Sequence, residues 1–196
     1  MEKDEIIVNE IIASAKLLFQ QYGLQKTTME DIAKAAGKGK STLYYYFKSK
    51  DQIFNSVVEL EMDDFFTTVK DAVDKEDDVQ AKLKIYILHK ITTLKHKTNL
   101  YRLTIKSYTN KSMTDLFIQL RDRYDHKEIT LLSAILEKGI ENKIFSKSIE
   151  KDITLLSELM ISGIRGVEMD MISRNKYNDL DSKVNFLSQI LIKGLS

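Results

Sequence analysis

The sequence has no cysteine, no proline and no tryptophan, and only seven of its 196 residues are glycine. Lack of cysteine rules out a disulfide framework, a thiolate zinc site and a cysteine nucleophile, and nothing suggests an oxidising compartment. Lack of proline leaves long helices with few breakers, so the expected fold class is all-α. No apolar run approaches the roughly 18 residues of a membrane span. The N-terminus, Met-Glu-Lys-Asp-Glu, is acidic where a secretory peptide is basic. A soluble cytoplasmic protein is expected. An excess of charge is missing too: 30 Lys and Arg stand against 29 Asp and Glu, a formal net charge of +1. That balance disfavours a nonspecific DNA-packaging protein and requires any nucleic-acid site to be local.

What is present is helical periodicity. Ile7, Ile11, Ala15, Leu18, Phe19 and Tyr22 predict a first helix over 6–22 that Gly23 ends. Thr28 supplies a hydroxyl cap three residues before Asp31, opening a short second helix that Gly37 closes. A third covers 41–47, with Leu43, Tyr46 and Phe47 on one face, and Ser49 is the candidate cap of a long fourth helix reaching about Val73. Beyond the acidic stretch 74–78, apolar spacing predicts helices over 79–97, 100–108 and 112–140, then a final pair over 149–173 and 180–195. Polarity is interrupted near Asp125-His126-Lys127. No repeat and no strand pair is legible.

Ala33, Gly37 and Leu43 put a small residue at a helix crossing, a glycine in the turn and an inward apolar residue on the next helix. That is the spacing of a helix-turn-helix, whose second helix can enter the DNA major groove while the first helix covers the back. From Ile32 to Lys50 stand Lys34, Lys38, Lys40, Lys48 and Lys50 with no acidic residue, interleaved with Ser41, Thr42, Tyr44 and Tyr45. Such hydroxyls bond phosphates or bases, and a solvated lysine face over an aromatic core is the plainer alternative.

Thr27 through Gly37 and Ser41 through Phe54 together resemble the DNA-binding region of TetR-family transcriptional regulators. The resemblance implies a sequence-specific regulator, a repressor released from its operator by a small organic effector. It implies a DNA-binding domain at 1–48, then a helical effector-binding and dimerisation domain at 49–196 joined through the fourth helix. Thr28 would cap the second helix near a phosphate. Lys40, Ser41, Thr42 and Tyr45 would lie on the exposed side of the third, Lys40 and Tyr45 being candidates for base edges, while Tyr44 and Lys50 would clamp the backbone. Tyr46 and Phe47 are read as core. The sequence departs from the family pattern at Lys38, expected to face phosphates, at Gly39, which leaves the third helix without a side-chain cap, and at Ser41.

Other chemistries find less support. Gly39-Lys40-Ser41 matches the end of a phosphate-binding P-loop, but Lys34 stands where its first glycine is needed and no strand precedes it. His89 and His96 lie seven apart and His126 elsewhere, so no metal-ligand spacing exists. The adjacent carboxylates Asp63-Asp64 and Asp77-Asp78 point to different helical faces. No catalytic constellation, metal or cofactor is expected, which disfavours a helical enzyme.

The last two helices are broad in their apolar faces. One carries Ile153, Leu156, Met160 and Val167 on one stripe and Leu155, Leu159, Ser162 and Gly166 on another, and the final helix adds Leu180, Val184, Leu187, Ile190, Leu191 and Leu195. A homodimer through Leu155, Leu159, Ser162, Gly166, Leu187 and Leu191 is expected, on a near-palindromic operator; burial within one chain is the alternative. Tyr86, His89, Tyr101, Tyr108, Phe117, Leu120 and Tyr124 are large amphipathic groups with few charges among them. They could equally pack a core, and the resemblance favours a pocket for a small, mostly apolar effector, uncharged or weakly polar.

Overall fold

Apolar periodicity of three to four residues, unbroken by proline, folds into helices throughout. The structure is a computed structural model that describes residues 2–106, 111–174 and 179–196; the side chains of 2, 3, 93–121, 123, 169, 171–174, 180 and 181 lie outside the description. Among the described residues every regular element is helical: α1 (Glu2–Tyr22), α2 (Met29–Ala35), α3 (Lys40–Tyr46), α4 (Lys50–Asp74), α5 (Val79–Lys106), α6 (Lys111–Glu141), a 3-10 turn (Lys147–Asp152), α7 (Ile153–Arg174) and α8 (Leu180–Leu195). None of the described helices is long and apolar enough to cross a membrane.

The chain divides into two compact units, residues 1–63 with 99–116, and 64–98 with 117–196. The first unit extends past the 1–48 segment because α4 contributes Ile53, Phe54, Val57 and Val58 to its interior. Ile11, Ala15 and Phe19 of α1, Ile32 and Ala33 of α2 and Leu43 of α3 are buried in the same unit. Phe19 and Phe54 pack edge to face at 5.4 Å between centroids. In the second unit the core joins Val69 and Val73 of α4, Leu83, Ile87 and Ile91 of α5, Leu132 and Leu136 of α6, Met160, Ile161 and Ile164 of α7, and Val184 of α8.

Two helix boundaries differ from the sequence expectation, at α5 and at the start of α7. α5 runs without a break across 97–100, where Thr98 and Asn99 cost only tenths of a kcal/mol in propensity and no glycine stops the helix. α6 is the single helix expected, and at 125–127 its polar residues find partners: Asp125 pairs with Arg165, and the Lys127 ammonium lies 4.9 Å from the Tyr124 ring centroid and 5.4 Å from that of Phe66. Residues 147–152 form a 3-10 turn capped by Ser146, so α7 begins at Ile153.

Two helix ends share one construction. At the end of α2 the Lys38 amide donates to the Ala33 carbonyl at 2.9 Å and Gly37 to Lys34 at 3.2 Å. At the end of α6, Ile144 donates to Gly139 and Lys143 to Ile140, each at 2.9 Å. Both are Schellman ends, in which a left-handed residue lets the chain satisfy the last carbonyls. That residue is Gly37 at φ 63° in one and Lys143 at φ 58° in the other.

Candidate functional site

The turn that opens α2 is built locally. The Asp31 amide donates to Thr28 Oγ1 at 3.1 Å and the Thr28 amide donates to Asp31 Oδ2 at 2.9 Å, a complete capping box. The Thr28 hydroxyl donates to the same carboxylate at 2.6 Å, and these bonds hold Asp31 below the usual carboxylate range. Thr27, buried, donates its hydroxyl to the Gly23 carbonyl at 2.9 Å. Gly39 begins α3 with no side-chain cap, as its lack of a side chain dictates.

α3 buries Leu43 and, at its end, Phe47, turning the rest of its seven residues outward. Tyr45 is 73% exposed, Tyr44 is exposed, and Ser41 and Lys40 are exposed beside them; Thr42 is half-buried. Tyr46, expected in the core, is only half-buried: its hydroxyl donates to Asp4 Oδ1 at 2.6 Å, an acceptor on α1 that keeps it near the surface and pushes its pKa up to about 12. The Tyr45 ring stands edge-on to Tyr46 at 4.9 Å. Lys48 donates to the Tyr44 carbonyl at 3.0 Å, closing the end of α3. α4 starts on Ser49, whose hydroxyl accepts from the Gln52 amide at 3.2 Å.

The lysines singled out for DNA all have partners in this chain. Lys40 pairs with Glu30 of α2, which raises its pKa through the hydrogen bond. Lys38, expected to face phosphates, bonds Glu10 of α1 at 2.7 Å. Lys50 donates to the Thr27 carbonyl at 2.8 Å and ties the start of α4 to the loop before α2. The pairing of Glu10 and Glu30 with these lysines escaped the sequence reading because it depends on where α1 and α2 pack.

In the second unit Tyr86 and Tyr124 are buried and His89 is half-buried. Tyr108 and the side chains of Tyr101, Phe117 and Leu120 lie outside the described residues. The expectation of few charges fails here: Lys90 of α5 and Glu128 of α6 form a buried ion pair, and Arg165 of α7 pairs with Asp125 of α6. Glu168 of α7 is buried as well; loss of water pushes its carboxyl up to about 7, against the opposing pull of Lys90. Among the described residues the Tyr86 hydroxyl has no hydrogen-bond partner, and burial raises its pKa well above the ordinary value. A legible signal did exist. Lys90 follows Tyr86 by four, Glu128 follows Tyr124 by four, and Glu168 follows Ile164 by four, so each charge occupies a place on an apolar stripe. A separate cleft of about 710 Å³ lies among residues 137–153 near the end of α6, lined by Glu137, Lys143 and Phe145 among others, away from these groups in sequence.

On α7, Leu155, Leu159, Ser162 and Gly166 are exposed, Leu159 at 62%. On α8, Leu187 and Leu191 are half-buried against the unit's own core, and Phe186 and Ile190 face outward at 65% and 52%.

A family model described as bacterial regulatory proteins, tetR family, matches residues 11–57. The chain is 24% identical to the HTH-type transcriptional regulator QacR of Staphylococcus aureus over 96% of this chain and 97% of that protein. Among solved structures, a transcriptional regulator from Cytophaga hutchinsonii is 28% identical with a TM-score of 0.79, covering 100% of this chain and 99% of its own. FadR from Bacillus subtilis, solved in complex with stearoyl-CoA, gives 21% identity and a TM-score of 0.72, over 95% and 98%.

Proposed function

The chain belongs to the TetR family of bacterial regulatory proteins and is a DNA-binding transcriptional regulator rather than an enzyme, and from that premise we propose a repressor that reads a near-palindromic operator through α3. The carrying observation is the outward face of α3, where Lys40, Ser41, Tyr44 and Tyr45 stand exposed on a helix held from behind by Leu43 and Phe47. Under this reading residues 1–48 form the DNA-binding domain and 49–196 the effector and dimer domain. Thr28 and Thr42 flank the reading face, Tyr44 and Lys50 bind phosphates, Lys38 adds positive charge beside them, and Lys40 and Tyr45 reach base edges. Working on DNA, it is a cytoplasmic protein.

Two copies meet through Leu155, Leu159, Ser162 and Gly166 of α7 and Phe186 and Ile190 of α8, with Leu187 and Leu191 behind them. What supports this is that, among the described residues, Gly163 and Gly166 have open space where a side chain would stand. Leu159→Glu or Ile190→Glu should then give monomers by sedimentation, with operator affinity far weaker.

A small, mostly apolar effector binds the second unit near Tyr86, His89, Tyr124, Phe117 and Leu120 and lowers operator affinity by favouring a state that misfits DNA, with DNA reciprocally weakening the effector. The stearoyl-CoA bound to the FadR relative is a ligand with a long apolar chain. The test of the reading begins by selecting an operator from random DNA. Lys50→Ala should then weaken all sequences alike and lower the salt slope by about one. Lys40→Ala should change preference at one operator position; uniform weakening removes its base contact.

A further inference from the structure

Lysines around the reading helix are held in two chemically different ways. Lys48 donates to the Tyr44 carbonyl at 3.0 Å and Lys50 to the Thr27 carbonyl at 2.8 Å, neutral acceptors that leave the charge of each ammonium whole. Lys38 and Lys40 are held instead by carboxylates, Lys38 by Glu10 of α1 at 2.7 Å and Lys40 by Glu30 of α2. Of these two, Lys40 stands on α3 itself, as its first residue, and both members of its pair are exposed. The hydrogen bond to Glu30 raises the Lys40 pKa and keeps the ammonium protonated.

Phosphates and bases ask different things of a lysine. A phosphate attracts net charge, and each cation it engages releases counterions that the salt dependence counts. A base edge is neutral and asks for donors at its acceptors, such as O6 and N7 of guanine. An ammonium has three N–H donors. With Glu30 taking one of them, the others remain for a base, while the carboxylate cancels the charge that a phosphate would feel. The same contact anchors a flexible four-carbon side chain between α2 and the start of α3. We propose that Glu30 is a specificity-determining residue of this regulator: it positions the Lys40 ammonium in a neutralised pair, so that Lys40 reads a base instead of binding phosphates indiscriminately. The inference rests on the assignment of Lys40 to a base edge made above and adds the residue that suits Lys40 to that task.

Glu30 can be changed without disturbing its surroundings. The capping box of α2 is closed by Thr28 and Asp31, and Glu30 has no part in it. Glu10 supplies the control: Glu10→Gln removes an equal charge beside the same lysines but unpairs Lys38, which lies in the turn before α3.

The experiment measures binding of the full-length protein to an operator selected from random DNA, to its single-base variants and to a random duplex of equal length, over a range of salt. Glu30→Gln is expected to raise affinity for the random duplex severalfold and to steepen its salt slope by about one, as Lys40 becomes an uncompensated cation. On the operator, the base preference that Lys40→Ala abolishes should drop severalfold. Where Lys40 is already alanine, Glu30→Gln should change neither the slope nor that preference. Glu10→Gln should raise affinity for all sequences alike and leave base preference intact. A Glu30→Gln variant that gains uniformly, as the Glu10 control does, or that steepens the slope equally without Lys40, overturns the positioning role while Lys40 keeps its base contact. If Lys40→Ala itself weakens all sequences alike, Lys40 reads no base, and the assignment and the role of Glu30 fall together.

Discussion

The two units treat charge in opposite ways. In the first, among the described residues, the buried charged group is Glu61, and it reaches Lys16 near the surface; the lysines of the reading face pair with Glu10 and Glu30 in the open. In the second, Lys90, Glu128 and Glu168 are all buried. Exposed pairs are worth little and exchange readily, which under the proposed function suits a surface that trades carboxylates for phosphates. Buried charges are costly unless matched.

Breaking the buried pair should therefore have the larger effect. Lys90→Met leaves Glu128 buried without its cation and should cost about 3–5 kcal/mol in urea unfolding, while Lys90→Met combined with Glu128→Leu should recover most of it. The corresponding Lys40→Met change in the first unit, where both Lys40 and Glu30 are open to water, should leave urea stability close to unchanged. Equal losses would erase the contrast between the units.

Glu168 sharpens the same comparison through pH. Its folded pKa, about 7, lies above the 4.5 of an ordinary glutamate, so the folded chain holds a proton that the unfolded chain releases between those values. Stability due to this group falls as pH rises across that window and levels off above it. Glu168→Gln should thus stabilise the protein on the order of 3 kcal/mol at about pH 8 and not at all below about pH 4. A gain independent of pH would mean that the carboxyl is not the titrating group.

The contrast also explains what was legible in the sequence. The reading unit is made by signals a few residues long: Thr28 with Asp31, Gly37 in its turn, Ser49 before α4, and apolar stripes ending at Leu43 and Phe47. All of them stand where the local pattern puts them. What escaped depends on packing between helices, as with Glu30 against Lys40, the burial of Glu168, and Phe186 facing outward on α8. On an isolated helix an apolar stripe of Leu187, Ile190 and Leu191 is as good as one rotated by a residue, and only contact with the core chooses.

Gly139 belongs with the second group. Phe145 folds back over α6 so closely that a Cβ on Gly139 would stand inside its ring. Alanine in a helix ordinarily gains about 0.5–1 kcal/mol over glycine. Here overpacking should outweigh that gain, and Gly139→Ala should lose about 2 kcal/mol. A stabilised variant would show that Phe145 can move aside, and with it the loop that the Leu195 carbonyl holds through the Ser146 amide at 2.7 Å.

The smallest effects come from the shared helix end, and there the two units should respond with opposite signs. Gly37 and Lys143 occupy the same left-handed position of the same hydrogen-bonded turn, at φ 63° and φ 58°. Around Gly37 there is open space, so Gly37→Ala meets no clash and its cost is conformational alone, about 1 kcal/mol. Lys143 already bears that strain. Lys143→Gly relieves it, but the glycine has more freedom to lose on folding, so the net gain should be about 0.5 kcal/mol. Paired denaturant titrations read both changes as shifts in midpoint at constant slope. Opposite shifts would show that backbone conformation alone sets the cost at this position. A loss at both sites would mean that the Lys143 side chain, exposed at the rim of the cleft beside Phe145, contributes more through its contacts than its backbone costs.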